Sequence, residues 1–140
     1  MFKGTSLEFR RQEERQQRMR HRVCGRRDAE QRLADAKQFL EAAEILESPD
    51  VVATNAIHAA IAAADVLTCL KLGERSNSGN HSDAVSLLRR VDASLALTLK
   101  RALDRKNQAS YESADISSID AARCFRWAKQ LVNEAVERLP

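Results

Sequence analysis

VVATNAIHAAIAAADVLTCLKL, residues 51–72, is the stretch whose reading decides the fold. It is dominated by Ala, Val, Ile and Leu, and no face of it reads as solvated, as expected of a helix that its neighbours surround. It has too few strongly apolar residues for a membrane span and is interrupted by His58 and Asp65. The reading is therefore the central helix of a small bundle. Thr54, His58, Ile61, Asp65 and Thr68 follow a three-and-four spacing, which predicts one seam carrying His58, Asp65 and Thr68. A carboxylate on so apolar a helix needs a partner, because an unpaired buried charge is costly, and the expected partner is Arg105.

Upstream of this run, Ser48-Pro49-Asp50 ends one helix and starts the next, since Pro bars continuation and Asp50 offers a cap. Leu33, Ala36, Phe39, Leu40, Ala43 and Leu46 form the stripe of the preceding helix. Its start resembles a capping box, with Asp28 as cap and Gln31 reaching back. So short a link predicts an antiparallel helical hairpin. Downstream of Gly73, ERSNSGNH reads as a polar loop, with Ser82 and Asp83 capping a short helix through Val85, Leu88 and Val91. A break at Asp92 or Ser94 precedes a helix through Leu95, Leu99 and Leu103 that fades near Ser110. Ser117 or Ser118 caps the last helix, whose face runs through Ala121, Phe125, Ala128, Val132, Ala135 and Leu139.

At 140 residues, with four Gly and two Pro, the chain is expected to be one all-α domain. The predicted architecture is an up-and-down bundle of four to five helices over residues 28–140, with a basic, mobile arm over residues 1–27. The charge separates the same way. Residues 1–28 hold nine Lys or Arg against four acids, and residues 29–140 hold fourteen against sixteen. Arg10, Arg11, Arg15, Arg18, Arg20, Arg22, Arg26 and Arg27 make the arm a candidate for phosphate contacts with nucleic acid. Cys24, Cys69 and Cys124 show no metal-ligand spacing, and an odd count with Cys69 inside the apolar run is read as reduced thiols in a cytoplasmic protein. The first residues lack the apolar core of a signal peptide.

Gly-rich phosphate loops, Ser/His/acid elbows and metal-binding His/Glu spacings are all missing from the chain, so no cofactor or metal is expected. What remains is a polar set: His58 and Asp65 on the central helix, with Arg101, Asp104, Arg105, Asn107 and Tyr111 toward the end of the LKRALDRKNQASY helix.

The order AKQFLEAAEIL, NAIHAAIAAADVLTCLKLG, a loop ending at His81 before SDAVSLL, LKRALDRKNQASY and IDAARCFRWAKQLVNEAVERL resembles the HEPN family (higher eukaryote and prokaryote nucleotide-binding) over about residues 29–139. The resemblance implies a dimeric four-to-five-helix bundle with a polar cleft between protomers. Many members are metal-independent ribonucleases; others are antitoxin partners, defence components or RNA-binding modules. Arg105 matches the family's motif Arg, and Asp65 the acid of its second helix. Where the motif's His would follow, this chain has Ser110 and Tyr111, and no His occurs after His81. A phenol with an ordinary pKa of about 10 is a poor base at neutral pH. The implied function is a non-catalytic dimeric module that binds RNA or a partner protein, such as a nucleotidyltransferase, in a toxin–antitoxin or defence setting. The alternatives are a metal-independent ribonuclease in which Arg105 and Asp65 are joined by Tyr111 or His58, and a purely structural bundle.

Overall fold

The computed structural model describes residues 6–77, 81–111 and 115–140, with side chains described for all of these except 14–20 and 109–111. The elements are α1 (Ser6–Arg20), β1 (His21–Val23), α2 (Arg26–Ile45), α3 (Pro49–Leu72), β2 (Glu74–Ser76), α4 (His81–Arg89), α5 (Ala93–Tyr111) and α6 (Ser118–Arg138). The protein is an all-α helical bundle, built on α2, α3, α5 and α6 with the short α4 beside α5.

The central run is the core helix. Ala53, Ala56, Ala59, Ala60, Ala62, Ala63 and Ala64 of α3 are buried, and side chains this small bring α2 and α6 close on two sides. Leu67, Leu87, Leu88, Leu99 and Leu131 fill the space between helices. By length and mean hydropathy alone, 1.5 over 18 residues, α3 would suffice to cross a membrane, contrary to the sequence reading. The bundle buries 67% of that window, so the apolarity is that of a core helix. Nor is α3 covered all round: Val51 and His58 are exposed.

Helix starts follow local chemistry, with some shifts from expectation. Ser117 Oγ accepts the Asp120 N–H at 3.0 Å and Asp92 Oδ1 accepts that of Leu95 at 3.0 Å, so the predicted break and the last cap are both formed. The cap of α2 is Gly25 rather than Asp28. Asp28 sits three residues in and accepts the Gly25 N–H at 3.2 Å, while Gln31 turns to Asp35. At α3 the cap position is Ser48, with Pro49 opening the helix, where its missing N–H costs nothing.

The polar stretch after α3 also departs from the loop reading. Gly73 adopts φ 69°, a left-handed conformation that favours glycine, and turns the chain out of α3. Residues 74–76 then pair antiparallel with β1, in the register His21↔Ser76, Arg22↔Arg75 and Val23↔Glu74. The Cys24 N–H extends the pairing to the Gly73 carbonyl at 3.0 Å. Cys24 and Cys69 are joined in a disulfide, which corrects the expectation of reduced thiols for these two; Cys124 is free and buried. Residues 21–24, basic by composition, are thus tied to the end of α3.

Candidate functional site

Asp65 is buried, with only 5% of its side chain exposed, and its partner is not Arg105. Arg32 of α2 donates from Nε to Asp65 Oδ2 at 2.9 Å, and Arg75 of β2 donates from Nη1 to the same oxygen at 3.4 Å. The Arg32 fork also reaches Asp35 at 3.1 Å. Burial raises the Asp65 carboxyl above its ordinary range, and Arg32 and then Arg75 act against that rise. This cluster locks α2, α3 and β2 together, and it lies away from α5.

Arg105 faces α6 instead. Its guanidinium lies 3.8 Å from Asp120, which also holds Arg123 at 3.1 Å. The expected Arg105–Asp65 pair is therefore not formed: Asp65 faces Arg32 of α2 and Arg75 of β2, which both bond to its Oδ2. The predicted seam also divides. Asp65 and Thr68 are buried, whereas His58 is exposed and its ring lies 5.1 Å from that of Phe39. His58 belongs to the α2–α3 contact and not to a centre with Arg105. The Tyr111 side chain falls outside the described residues.

What does gather around Arg105 is a groove between α5 and α6, lined by Arg101, Asp104, Arg105, Gln108 and Trp127. Asp104 also lines a second cavity, between α4 and α5, with His81, Arg89, Lys100 and Asn107 among its walls. The two cavities are thus neighbours. Together they present Arg89, Lys100, Arg101 and Arg105 against one acid, Asp104, which Lys100 pairs at 2.6 Å. Trp127 is the only tryptophan of the chain and is half-buried beside these cations. Among the described residues, no group of three His, Cys, Asp or Glu side chains is placed to hold a metal ion.

Of the arm's candidates, Arg10, Arg11, Arg22 and Arg27 are exposed. Arg26 pairs with Glu30 at 3.2 Å and donates to the Pro140 carbonyl at 2.8 Å. The side chains of Arg15, Arg18 and Arg20 lie outside the described residues.

Sequence reasoning missed Arg32, Arg75 and Trp127. Arg32 was open to discovery from the hairpin register: Phe39 meets His58, so seven residues back on α2 Arg32 faces Asp65, seven residues on along α3. Trp127 had a signal too, since it falls between Phe125 and Ala128 and off the apolar stripe of α6. The chain matches no protein-family model, no curated protein and no solved structure.

Proposed function

We propose that this protein is a HEPN-like, non-catalytic module that binds single-stranded RNA along the α4–α5–α6 surface and works as a dimer. The observation that carries the reading is the juxtaposition of Arg101, Arg105 and Gln108 with Trp127 in one groove, continuous with Arg89 and Lys100. Guanidinium and ammonium groups supply sequence-independent phosphate affinity. An accessible indole beside them offers a stacking face to an unpaired base, worth about 1–3 kcal/mol per base. The arm's basic sequence extends the same positive character.

The non-catalytic part of the reading is supported by what surrounds Arg105. Its carboxylate neighbour is Asp120, shared with Arg123, and the acid that the family pattern would supply is engaged by Arg32 and Arg75. His58 packs on Phe39, which leaves Arg105 without that proton-transfer partner.

The test is titration of the full chain with end-labelled single-stranded RNA in EDTA, followed through Trp127 fluorescence and on native and denaturing gels. Quenching with intact RNA, and affinity ~10-fold weaker in Arg101→Ala or Arg105→Ala, is the expected result. RNA cleavage that disappears in Arg105→Ala would replace this reading by the ribonuclease. No quenching and no gel shift at low salt would remove RNA from the account.

A further inference from the structure

A third concave surface lies at the opposite end of the bundle from the disulfide. It is a groove of 250 Å³ at the α2–α3 turn, lined by Ala43, Leu46, Val52, Ala121 and Phe125 at its floor and by Glu44 and Glu47 among its walls. Among the described residues, no Lys or Arg lines it. Glu44 and Glu47 are exposed, and neither has an ion-pair partner among the described residues. Ile45 and Ile119, each one residue beyond a lining residue, are 74% and 67% exposed. An apolar floor with carboxylates and no cation calls for an apolar anchor followed by positive charge.

The chain contains such a segment. On α1, Leu7 is 57% exposed, and Arg10 and Arg11, at i+3 and i+4, lie beside it on the same face. All the described side chains of α1, Ser6 to Glu13, are exposed. None of the described residues of α1 lines the groove of its own chain. Cys24 fixes the arm at the Cys69 end of α3, whereas the groove lies at Val52, 17 residues and about 26 Å away along the helix.

We propose that the groove takes α1 of a second copy of this chain, with Leu7 on the Phe125 floor and Arg10 and Arg11 against Glu44 and Glu47. Two copies exchanging arms place a helix in each groove, and the contact closes as a symmetric dimer. The helix-in-groove mode needs an anchor residue and flanking charges of opposite sign, which both sides supply. This assignment rests on the proposed dimer but not on RNA binding: a wild-type monomer would remove both the dimer and the arm exchange, whereas a dimer indifferent to Leu7→Asp would remove the arm exchange alone.

The experiment is sedimentation velocity on the full-length protein through the micromolar range, with circular dichroism confirming that each variant keeps its helix content. The wild type is expected to be a dimer that weakens as salt rises. Leu7→Asp is expected to be monomeric. Arg10→Glu with Arg11→Glu should raise the dissociation constant ~10-fold or more, as should Glu44→Arg with Glu47→Arg, because like charges then meet across the groove. Combining both charge reversals in one chain should restore the dimer. A wild-type monomer, a dimer indifferent to Leu7→Asp, or a four-fold charge-swapped variant no tighter than its parents would each overturn the proposal.

Discussion

Arg32 and Asp65 meet at 2.9 Å across the α2–α3 hairpin. The pair is the polar counterpart of the Phe39–His58 contact nearer the turn, so one antiparallel register places both. Because burial raises the Asp65 carboxyl in spite of two arginines, desolvation outweighs the attraction that offsets it.

Removing one member of this cluster should therefore be far worse than replacing all of it. Asp65→Ala, which takes the shared carboxylate from half-buried Arg75 and leaves Arg32 only Asp35, is expected to cost about 3–5 kcal/mol, whereas a triple change to apolar residues of similar volume should be close to neutral. In double-mutant cycles read by urea denaturation, Arg32 and Asp65 should show coupling and Arg105 and Asp65 none. Coupling to Arg105 would contradict the pairing described above.

Cys124 is buried between α5 and α6, with Sγ 3.7 Å from the Ala102 carbonyl. Burial first, and then the Asp120 carboxylate, push its thiol up to about 11 from 9.0. The folded state thus keeps a proton that the unfolded state releases. Stability from this group is intact below pH 9 and falls as pH rises through 11, by about 2–3 kcal/mol in full. Cys124→Ala should flatten the alkaline limb of a stability–pH curve, and alkylation of the native thiol at pH 8 should proceed only at the rate of opening.

Asp92 works in the opposite direction. The Leu95 N–H is the main cause that holds its carboxyl below 3.8, and Arg138 adds to it. Its contribution is present above pH 4 and disappears as pH falls through the lowered value. Asp92→Ala should cost about 1 kcal/mol at pH 7. The two proteins should converge in thermal melts at strongly acid pH.

Thiol titration under denaturing, non-reducing conditions should find one thiol per chain, Cys124, with two more after reduction. Replacing Cys24 and Cys69 by Ser should destabilise the fold by about 4 kcal/mol on the chain-entropy account of a bond joining residues 45 apart. Three thiols without reductant would refute the pairing.

The parts of the fold that the sequence made legible are those governed by local chemistry. The apolar run of α3, the Ser48-Pro49 turn, the Asp92 break and the Ser117 cap each state their structure within a few residues. What stayed hidden depends on distant segments meeting. The β1–β2 ladder has three residues a side, too short for an alternating pattern to show, and it exists because Gly73 turns Glu74–Ser76 toward His21–Val23. The same turn brings Arg75 to Asp65, so the second partner of the buried acid was set by a strand that periodicity could not reveal. Of the candidate site, Arg101, Arg105 and Asp104 were visible as a polar helix end, but Trp127 joins them only through the packing of α6 on α5.

The disulfide has a topological consequence. Cys24 and Cys69 close a covalent ring that contains all of α2 and α3 up to its last turn. When the chain opens, α4, α5 and α6 leave as a free tail, while the ring keeps the α2 and α3 segments in reach of each other. Refolding then starts from a loop already shut, so part of the entropy of bringing α2 to α3 is already met.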